Sequence, residues 1–181
     1  MGFGKAFAAV MQHEGGYSNN PEDKGGETYM GIARNRHPGW FGWEMVDRIR
    51  AEGGTLSLDD DLTEAVTAFY RVEFWLGMGC ETIDQLSEAV AEELFEAGVN
   101  CGSANGIRFL QRALNALNDS GRLFPELQVD GQVGAKTLSA LEKCLQHHRP
   151  KLLLKCQNGE QYMYYKKWSQ HEDFPGVFAR T

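Results

Sequence analysis

Apolar side chains recur every three or four residues through most of this 181-residue chain. That spacing places them along one side of an α-helix, whereas a half-buried β-strand shows strict alternation of apolar and polar residues. Glycine, proline and aspartate clusters separate the apolar stripes, and these residues commonly end helices or form turns. No alternating pattern of useful length is visible. The sequence therefore predicts a mainly α fold built from several amphipathic helices.

The predicted helices follow from these stripes. A first helix covers residues 2–13 and a second covers about 43–51. A third is opened by Leu58 and the acidic residues Asp59 to Asp61, which complement the helix dipole, and is expected to run to about Trp75. Residues 77–80 are interpreted as a short connection, and Ser87 as the N-cap of a helix over about 88–99. Three more helices are predicted further on: one carrying Ile107, Leu110 and Leu114, one after the turn 129–134, and one after Pro150.

Length and charge limit the classes of function. At 181 residues the chain is one domain, or one domain with a closely packed second lobe. The formal net charge of −7 argues against nucleic acid and against an anionic membrane surface as partners. No apolar run is long enough for membrane insertion, and the N-terminus lacks the features of a secretory signal. If the substrate lies outside the membrane, we therefore expect another factor to deliver the protein.

The four cysteines do not indicate a metal or redox centre. Cys80, Cys101, Cys144 and Cys156 form no Cys-x-x-Cys pair and have no histidines at zinc-finger spacing. Scattered cysteines of this kind are usually reduced and buried. The sequence predicts no metal site and no cofactor.

The strongest candidate for chemistry lies just after the first helix. Glu14 stands where an apolar helix gives way to Gly15 and Gly16, and the following glycine-rich loop carries Asp23 and Thr28. A carboxyl group at such a boundary can be half buried, which raises its pKa, and still face a cleft. An acid, a second carboxylate and a water-orienting hydroxyl are the groups that hydrolyse a glycosidic bond. The alternative is a helix-end glutamate followed by a solvated acidic loop.

Four further residues are predicted to contact the substrate: Tyr17, Tyr70, Trp75 and Asn100. Aromatic faces pack against sugar rings, and a side-chain amide can hydrogen-bond a sugar hydroxyl. Asn100 can instead cap the end of its helix. Trp40 and Trp43, in a turn-rich stretch, could line the same groove, but burial against helices is the interpretation we favour for them.

Two parts of the chain resemble known families. The run His13 to Tyr17, Asp23 to Thr28, and Gly31 with Ile32 resembles the signature of N-acetylmuramidase endolysins of glycoside hydrolase family 108, and is similar to the Glu/Asp/Thr order of bacteriophage-type lysozymes. From about Glu88 the chain resembles the predicted peptidoglycan-binding part that usually follows. Glu96 departs from the aspartate usual in that family, and Val177 from a tryptophan.

The resemblance implies a lysozyme-like helical fold with a catalytic muramidase part over residues 1–86. A helical peptidoglycan-binding part over 87–181 would pack with it as one compact unit. It also implies a monomeric phage or prophage endolysin that cleaves the β-1,4 bond between N-acetylmuramic acid and N-acetylglucosamine in glycan strands. Glu14 would be the catalytic acid, with Asp23 and Thr28 as the second carboxylate and hydroxyl. The alternatives are a lytic transglycosylase, a chitinase-type hydrolase and a non-catalytic peptidoglycan-binding protein.

Overall fold

The computed structural model describes residues 2–12, 15–19 and 26–169. Over these residues it contains eight α-helices and one small antiparallel sheet, which confirms the mainly α prediction. No helix within the described ranges is both long and apolar enough to cross a membrane. The helices are α1 (Gly2–Met11), α2 (Gly42–Ala51), α3 (Asp60–Tyr70), α4 (Cys80–Leu86), α5 (Glu88–Cys101), α6 (Ser103–Ala116), α7 (Ala135–His147) and α8 (Pro150–Ser169). The strands are β1 (Tyr17–Ser18), β2 (Thr28–Tyr29) and β3 (Ile32–Ala33).

The chain divides into two compact units. One consists of Phe7–Glu73, and the other combines Met1–Ala6 with Phe74–Thr181. The predicted division into a catalytic part, 1–86, and a peptidoglycan-binding part, 87–181, assigns roles along the chain. It stays a prediction.

The unit Phe7–Glu73 holds the sheet, with strand order β1-β2-β3. Tyr29 pairs with Tyr17 on one side and with Ile32 on the other, so the three side chains share one face of the sheet. Tyr29 and Ile32 are buried, and this face therefore belongs to the core of the unit. Strands of two residues are too short to show alternation, which explains why the sequence did not indicate them.

Two of the helix starts were predicted correctly. The Asp59 carboxylate accepts a hydrogen bond from Leu62 N at 2.8 Å and caps α3. The Ser87 hydroxyl accepts one from Val90 N at 3.4 Å and caps α5, as the sequence indicated.

Two details between these caps differ from the prediction. The α-helical part of the third helix ends at Tyr70, and Arg71–Leu76 continues as a π-helix. The expected connection after Gly77 is shorter than predicted, because α4 begins at Cys80. Gly79 permits this abrupt start, since its φ of 72° lies in the left-handed region. Cys80 and Ile83 then bury one side of the new helix.

The cysteines are buried as expected, with one exception. Cys80, Cys101 and Cys144 are buried, Cys156 is half-buried, and all four are free thiols. Burial raises the pKa of the Cys80 thiol to about 12 and that of Cys144 to about 11, so neither favours the reactive thiolate.

Helices α5 and α6 approach each other closely at two glycines, Gly98 and Gly106. A Cβ atom added at Gly106 would lie 2.9 Å from the backbone nitrogen of Gly98 and 3.0 Å from its Cα. Backbone atoms in a helix cannot rotate away as a side chain can. The helix pair therefore requires a residue without a side chain at this crossing.

We predict that Gly106→Ala lowers the free energy of unfolding by about 1–3 kcal/mol, because the new methyl group overpacks the crossing. Gly159→Ala is the matched control, since Gly159 lies inside α8 and an added Cβ there meets no described atom within 4 Å. It should raise stability by about 1 kcal/mol through better helix propensity. Urea unfolding followed by circular dichroism measures both. Equal effects of the two substitutions would contradict a close crossing at Gly106.

Candidate functional site

Of the three predicted catalytic residues, Thr28 lies in the small sheet. Glu14 and Asp23 lie outside the described residues, whereas Thr28 and the segments next to the two carboxylates are described. Gly15 and Gly16 lead directly into β1, and Gly26 leads through Glu27 into β2. The described part of the motif is therefore a set of neighbouring strands and the residues that enter them.

Thr28 lies on the outer face of the sheet. It pairs with Ser18 of β1 and with Ala33 of β3, and residues opposite each other in a sheet share a face. Ser18 is exposed and the other two are half-buried, in contrast to the buried face formed by Tyr29 and Ile32. The Thr28 hydroxyl donates a long hydrogen bond of 3.3 Å to the carbonyl of Gly26. Thr28 is thus placed at a surface rather than in the core.

A tight turn joins β2 to β3 and also contacts the glycine pair that follows Glu14. Met30 and Gly31 both have positive φ, 46° and 78°, as a two-residue hairpin of this kind requires. Met30 N donates a hydrogen bond of 3.3 Å to Gly16 O. The Tyr70 hydroxyl donates to Met30 O at 2.8 Å. A left-handed conformation is unfavourable for methionine, and these two bonds hold it in place.

Tyr70 supports this turn from the core. Only 2% of the residue is exposed, and its ring packs 5.6 Å from that of Phe7 and 5.5 Å from that of Phe69. A side chain so enclosed orients the backbone of Met30. Contact between Tyr70 and a sugar stays a prediction, and the structure favours the supporting role.

Trp75 and Asn100 belong to the other unit. Trp75 is fully buried, its ring packs against those of Phe3 and Phe95, and its indole N–H donates to Glu81 Oε2 at 2.6 Å. Its position is that of a core residue, so we do not carry it into the proposed site. Asn100 is exposed within the last turn of α5, which ends at Gly102 with a φ of 88°. Its role as a substrate contact stays a prediction.

A charged cluster that the sequence did not indicate lies beside Thr28. We call it the Glu27 cluster; it comprises Tyr17, Glu27, Arg34, Asp47 and Arg50. The Tyr17 hydroxyl donates to Glu27 Oε1 at 2.8 Å. Arg34 Nε lies 2.6 Å from Glu27 Oε2 as an ion pair, and Arg50 Nη1 lies 3.5 Å from Oε1. Only 17% of the Glu27 side chain is exposed, so the carboxylate is enclosed by donors.

The outer part of this cluster anchors it to α2. Arg34 binds Asp47 with two hydrogen bonds of 3.0 and 2.6 Å, and its guanidinium lies 4.4 Å from the centre of the Trp43 ring. The guanidinium of Arg50 lies 4.4 Å from the centre of the Tyr17 ring. Both stacking distances are in the range of cation–π interactions. Tyr17, predicted as a substrate contact, is therefore also a structural member of the cluster.

The pKa values in the cluster follow from these contacts. Burial raises the pKa of Tyr17, and the nearby Glu27 carboxylate raises it further. The hydrogen bond to Asp47 raises the pKa of Arg34, and the same bond lowers the pKa of Asp47. These shifts favour the charged forms of Arg34 and Asp47 and the neutral form of the Tyr17 phenol. No sequence pattern marked Glu27, since its cationic partners lie beyond β3 and at the far end of α2.

The tryptophans near this cluster are core residues. Trp43 is 3% exposed and donates from its indole N–H to His37 O at 2.9 Å, and Trp40 is 8% exposed. Their rings pack edge to face with centroids 5.1 Å apart. The favoured interpretation, burial against helices, is confirmed for both.

A carboxyl group with a raised pKa lies in the unit that combines Met1–Ala6 with Phe74–Thr181. Burial, with the neighbouring Glu96 charge, raises the pKa of Glu93 to about 7. The Asn158 amide of α8, oriented with its nitrogen toward Glu93, donates to Oε2 at 3.2 Å. Glu93 lies on α5, which packs against α8, so its environment is a helix interface. Within the described ranges, no three His, Cys, Asp or Glu side chains are grouped to hold a metal ion.

Comparison with protein families assigns both parts of the chain. The model of the Glycosyl hydrolase 108 family matches residues 7–102. The model of a Predicted Peptidoglycan domain matches residues 105–173. A search of curated proteins gives no match.

Comparison with solved structures finds a protein of similar fold. The structure of Brucella abortus SagA is similar to this chain with a TM-score of 0.58 and 24% sequence identity. The similarity covers 91% of this chain and 79% of that chain. At this identity the likeness concerns the fold. The family match extends over residues 7–102, more than half of the sequence, and the chain therefore belongs to the glycosyl hydrolase 108 family as a peptidoglycan hydrolase with a peptidoglycan domain.

Proposed function

We propose that this chain is an N-acetylmuramidase. It hydrolyses the β-1,4 bond between N-acetylmuramic acid and N-acetylglucosamine, with Glu14 as the general acid. One observation carries the proposal beyond the family assignment: the strand that follows Glu14 pairs directly with the strand that Thr28 begins. This pairing is what a single site formed by both segments requires.

The pairing relates all three proposed catalytic residues. Glu14 precedes Gly15-Gly16 and β1, Asp23 lies in the connection between β1 and β2, and Thr28 is the first residue of β2. β1 contains only two residues, each advancing by about 3.3 Å, so the segments at its two ends are separated by a short distance. The bond from Met30 N to Gly16 O holds the glycine pair against the same hairpin. This arrangement supports one site at the outer face of the sheet.

In the proposed reaction Glu14 is protonated before the substrate binds. It gives its proton to the glycosidic oxygen as the bond to the anomeric carbon breaks, so that the leaving sugar departs as an alcohol. Positive charge develops on the remaining ring in an oxocarbenium-like transition state. An ionised carboxylate nearby stabilises that charge, and we assign this role to Asp23.

Water completes the reaction. Asp23 and Thr28 would orient a water molecule toward the anomeric carbon from the face opposite the leaving group. Asp23 would accept the proton that the water loses, and the product anomer would be inverted. This geometry requires the two carboxyl groups to be about 6.5–9.5 Å apart, whereas about 5 Å would favour a covalent intermediate and retention. The outward position of Thr28 supports a hydroxyl that meets solvent.

The proposal extends to further substrate contacts and to the biological setting of the protein. We propose that Tyr17 and Asn100 add contacts to the glycan strand. We further propose that the protein is a monomeric phage or prophage endolysin, present in the cytoplasm until it is released to the cell wall. The support for the setting is the resemblance of the Glu14 to Thr28 segment to endolysins.

Digestion of purified peptidoglycan followed by mass spectrometry tests the reaction. We expect disaccharide-containing fragments with reducing N-acetylmuramic acid ends. Anhydro fragments, lighter by one water, would instead identify a lytic transglycosylase. Binding to cell walls without release of reducing ends would identify a non-catalytic protein. Chitin oligomers tested in parallel should remain uncut, and their cleavage at a similar rate would favour a chitinase-type hydrolase.

The variant Glu14→Gln tests the assigned acid in the same assay. It retains shape and hydrogen bonding but cannot donate the proton, so the rate should fall by about 10²–10⁴-fold. Glu64→Gln is the matched control, because Glu64 is exposed on α3 in the same unit. Its rate should equal that of the wild type. Full activity of Glu14→Gln would exclude Glu14 as the acid.

We predict that Asp23→Ala leaves the fold intact and lowers the rate. The loss of the carboxylate removes the charge that opposes the oxocarbenium-like state, whereas a loop aspartate that only caps its own backbone would affect stability instead. Cooperative thermal unfolding should remain near that of the wild type. Loss of cooperative unfolding would favour the structural role.

Thr28 is tested by a pair of substitutions. Thr28→Val keeps the shape but removes the hydroxyl, and kcat should fall about fivefold, as the loss of one hydrogen bond of about 1 kcal/mol in the transition state predicts. Thr28→Ser keeps the hydroxyl and should retain most of the activity. Steady-state kinetics on solubilised glycan fragments measure both. Equal kcat values for the valine and serine variants would remove the hydroxyl from the mechanism.

A further inference from the structure

We infer that Glu27 is a positioning residue of the proposed hydrolase: through Tyr17, Arg34 and Arg50 it fastens the base of the loop that carries Asp23 to helix α2. The inference rests on the proposed function for its effect on the rate. The geometry of the fastening itself is a property of the described residues.

Glu27 closes the base of the loop between β1 and β2. Tyr17 lies in β1, one residue before the strand ends, and Glu27 is the last residue before β2. The hydrogen bond of 2.8 Å between their side chains therefore joins β1 to the last residue of the connection. The backbone of Glu27 contributes as well, because its carbonyl accepts a hydrogen bond of 2.8 Å from Arg34 N. Thr28 is the next residue in the chain, so the position of its backbone depends on that of Glu27.

Two arginines attach this base to α2 by different routes. Arg34 follows β3, pairs with Glu27 through Nε, and binds Asp47 of α2 through its two terminal nitrogens. Arg50 is itself part of α2, lies 3.5 Å from Glu27 Oε1 and stacks on the Tyr17 ring. The two hydrogen bonds from Arg34 to Asp47 are bidentate, which gives orientation as well as attraction, whereas Glu27 meets both arginines as ion pairs. The loop base is therefore held from three sides.

The same contacts argue against Glu27 as the second catalytic carboxylate. Oε1 accepts the Tyr17 hydroxyl and faces Arg50, and Oε2 faces Arg34. Because both oxygens are engaged and only 17% of the side chain is exposed, the Glu27 carboxylate is not available to contact a sugar. Its chemistry is that of an anchor.

The variant Glu27→Gln removes the charge without leaving a buried partner uncompensated. Arg34 keeps its two bonds to Asp47, and Arg50 has a side chain that is 46% exposed and can be solvated. The glutamine carbonyl can still accept the Tyr17 hydroxyl. We therefore expect cooperative unfolding to persist, so that effects on rate can be separated from loss of the fold.

The test combines kinetics with amide hydrogen exchange in Glu27→Gln. We expect kcat to be about tenfold lower than in the wild type and KM to stay within about twofold of it. The reason is that substrate still binds but meets Asp23 and Thr28 in the wrong positions. Exchange at the amides of Met30 and Arg34, which close the turn and the loop base, should be about tenfold faster. Glu64→Gln should change neither quantity.

A second variant tests the route through Tyr17. Tyr17→Phe removes only the hydroxyl that Glu27 accepts. Because glutamine can still accept this hydroxyl, Tyr17→Phe is combined with Glu27→Ala, which removes the acceptor. If both residues act through one contact, kcat of this double variant should match that of Glu27→Ala alone rather than the product of the two effects. Multiplicative effects would overturn the shared route.

The outcomes separate this inference from the proposed function. Unchanged exchange at Met30 and Arg34 in Glu27→Gln overturns the fastening, whatever the activity. Faster exchange with wild-type kcat overturns the positioning role in catalysis. If the wild-type protein releases no reducing ends, the proposed function fails, and the kinetic part of the inference fails with it, whereas faster exchange would still support the fastening.

Discussion

The enclosed carboxylate of Glu27 is the contact on which the candidate site depends. Strands of two residues form too few backbone hydrogen bonds to be stable alone. Here they are held on one face by the burial of Tyr29 and Ile32, and at the edge by the ion pairs from Glu27 to Arg34 and Arg50. The paired strands β1 and β2 are therefore held in position by contacts with helix α2.

This arrangement separates stability from chemistry within one unit. The aromatic side chains of Trp40, Trp43 and Tyr70 are buried and form a rigid base. Gly15 and Gly16, which follow Glu14 in the chain, are exposed at its surface, where functional loops on rigid scaffolds usually lie. The left-handed Met30, held by hydrogen bonds from both sides, is where the two regions meet.

Helices were predictable to the extent that their signals are local. An apolar stripe and a capping side chain lie within a few residues of each other, so the starts of α3 and α5 followed from Asp59 and Ser87. Helix α4 was missed because it is short and begins at a left-handed Gly79, a conformation that the neighbouring residues do not encode. The strands were missed because two residues contain no periodicity.

The sequence by itself determined the mainly α class, the family and the Glu14, Asp23 and Thr28 motif, because these depend on residue type, order and short spacing. Tertiary structure decided what surrounds them. It enclosed Tyr70 and Trp75 in cores, turned Thr28 outward and brought Arg34 and Arg50 to Glu27. These outcomes depend on contacts between residues distant along the chain, and such contacts arise only when whole helices and strands pack together.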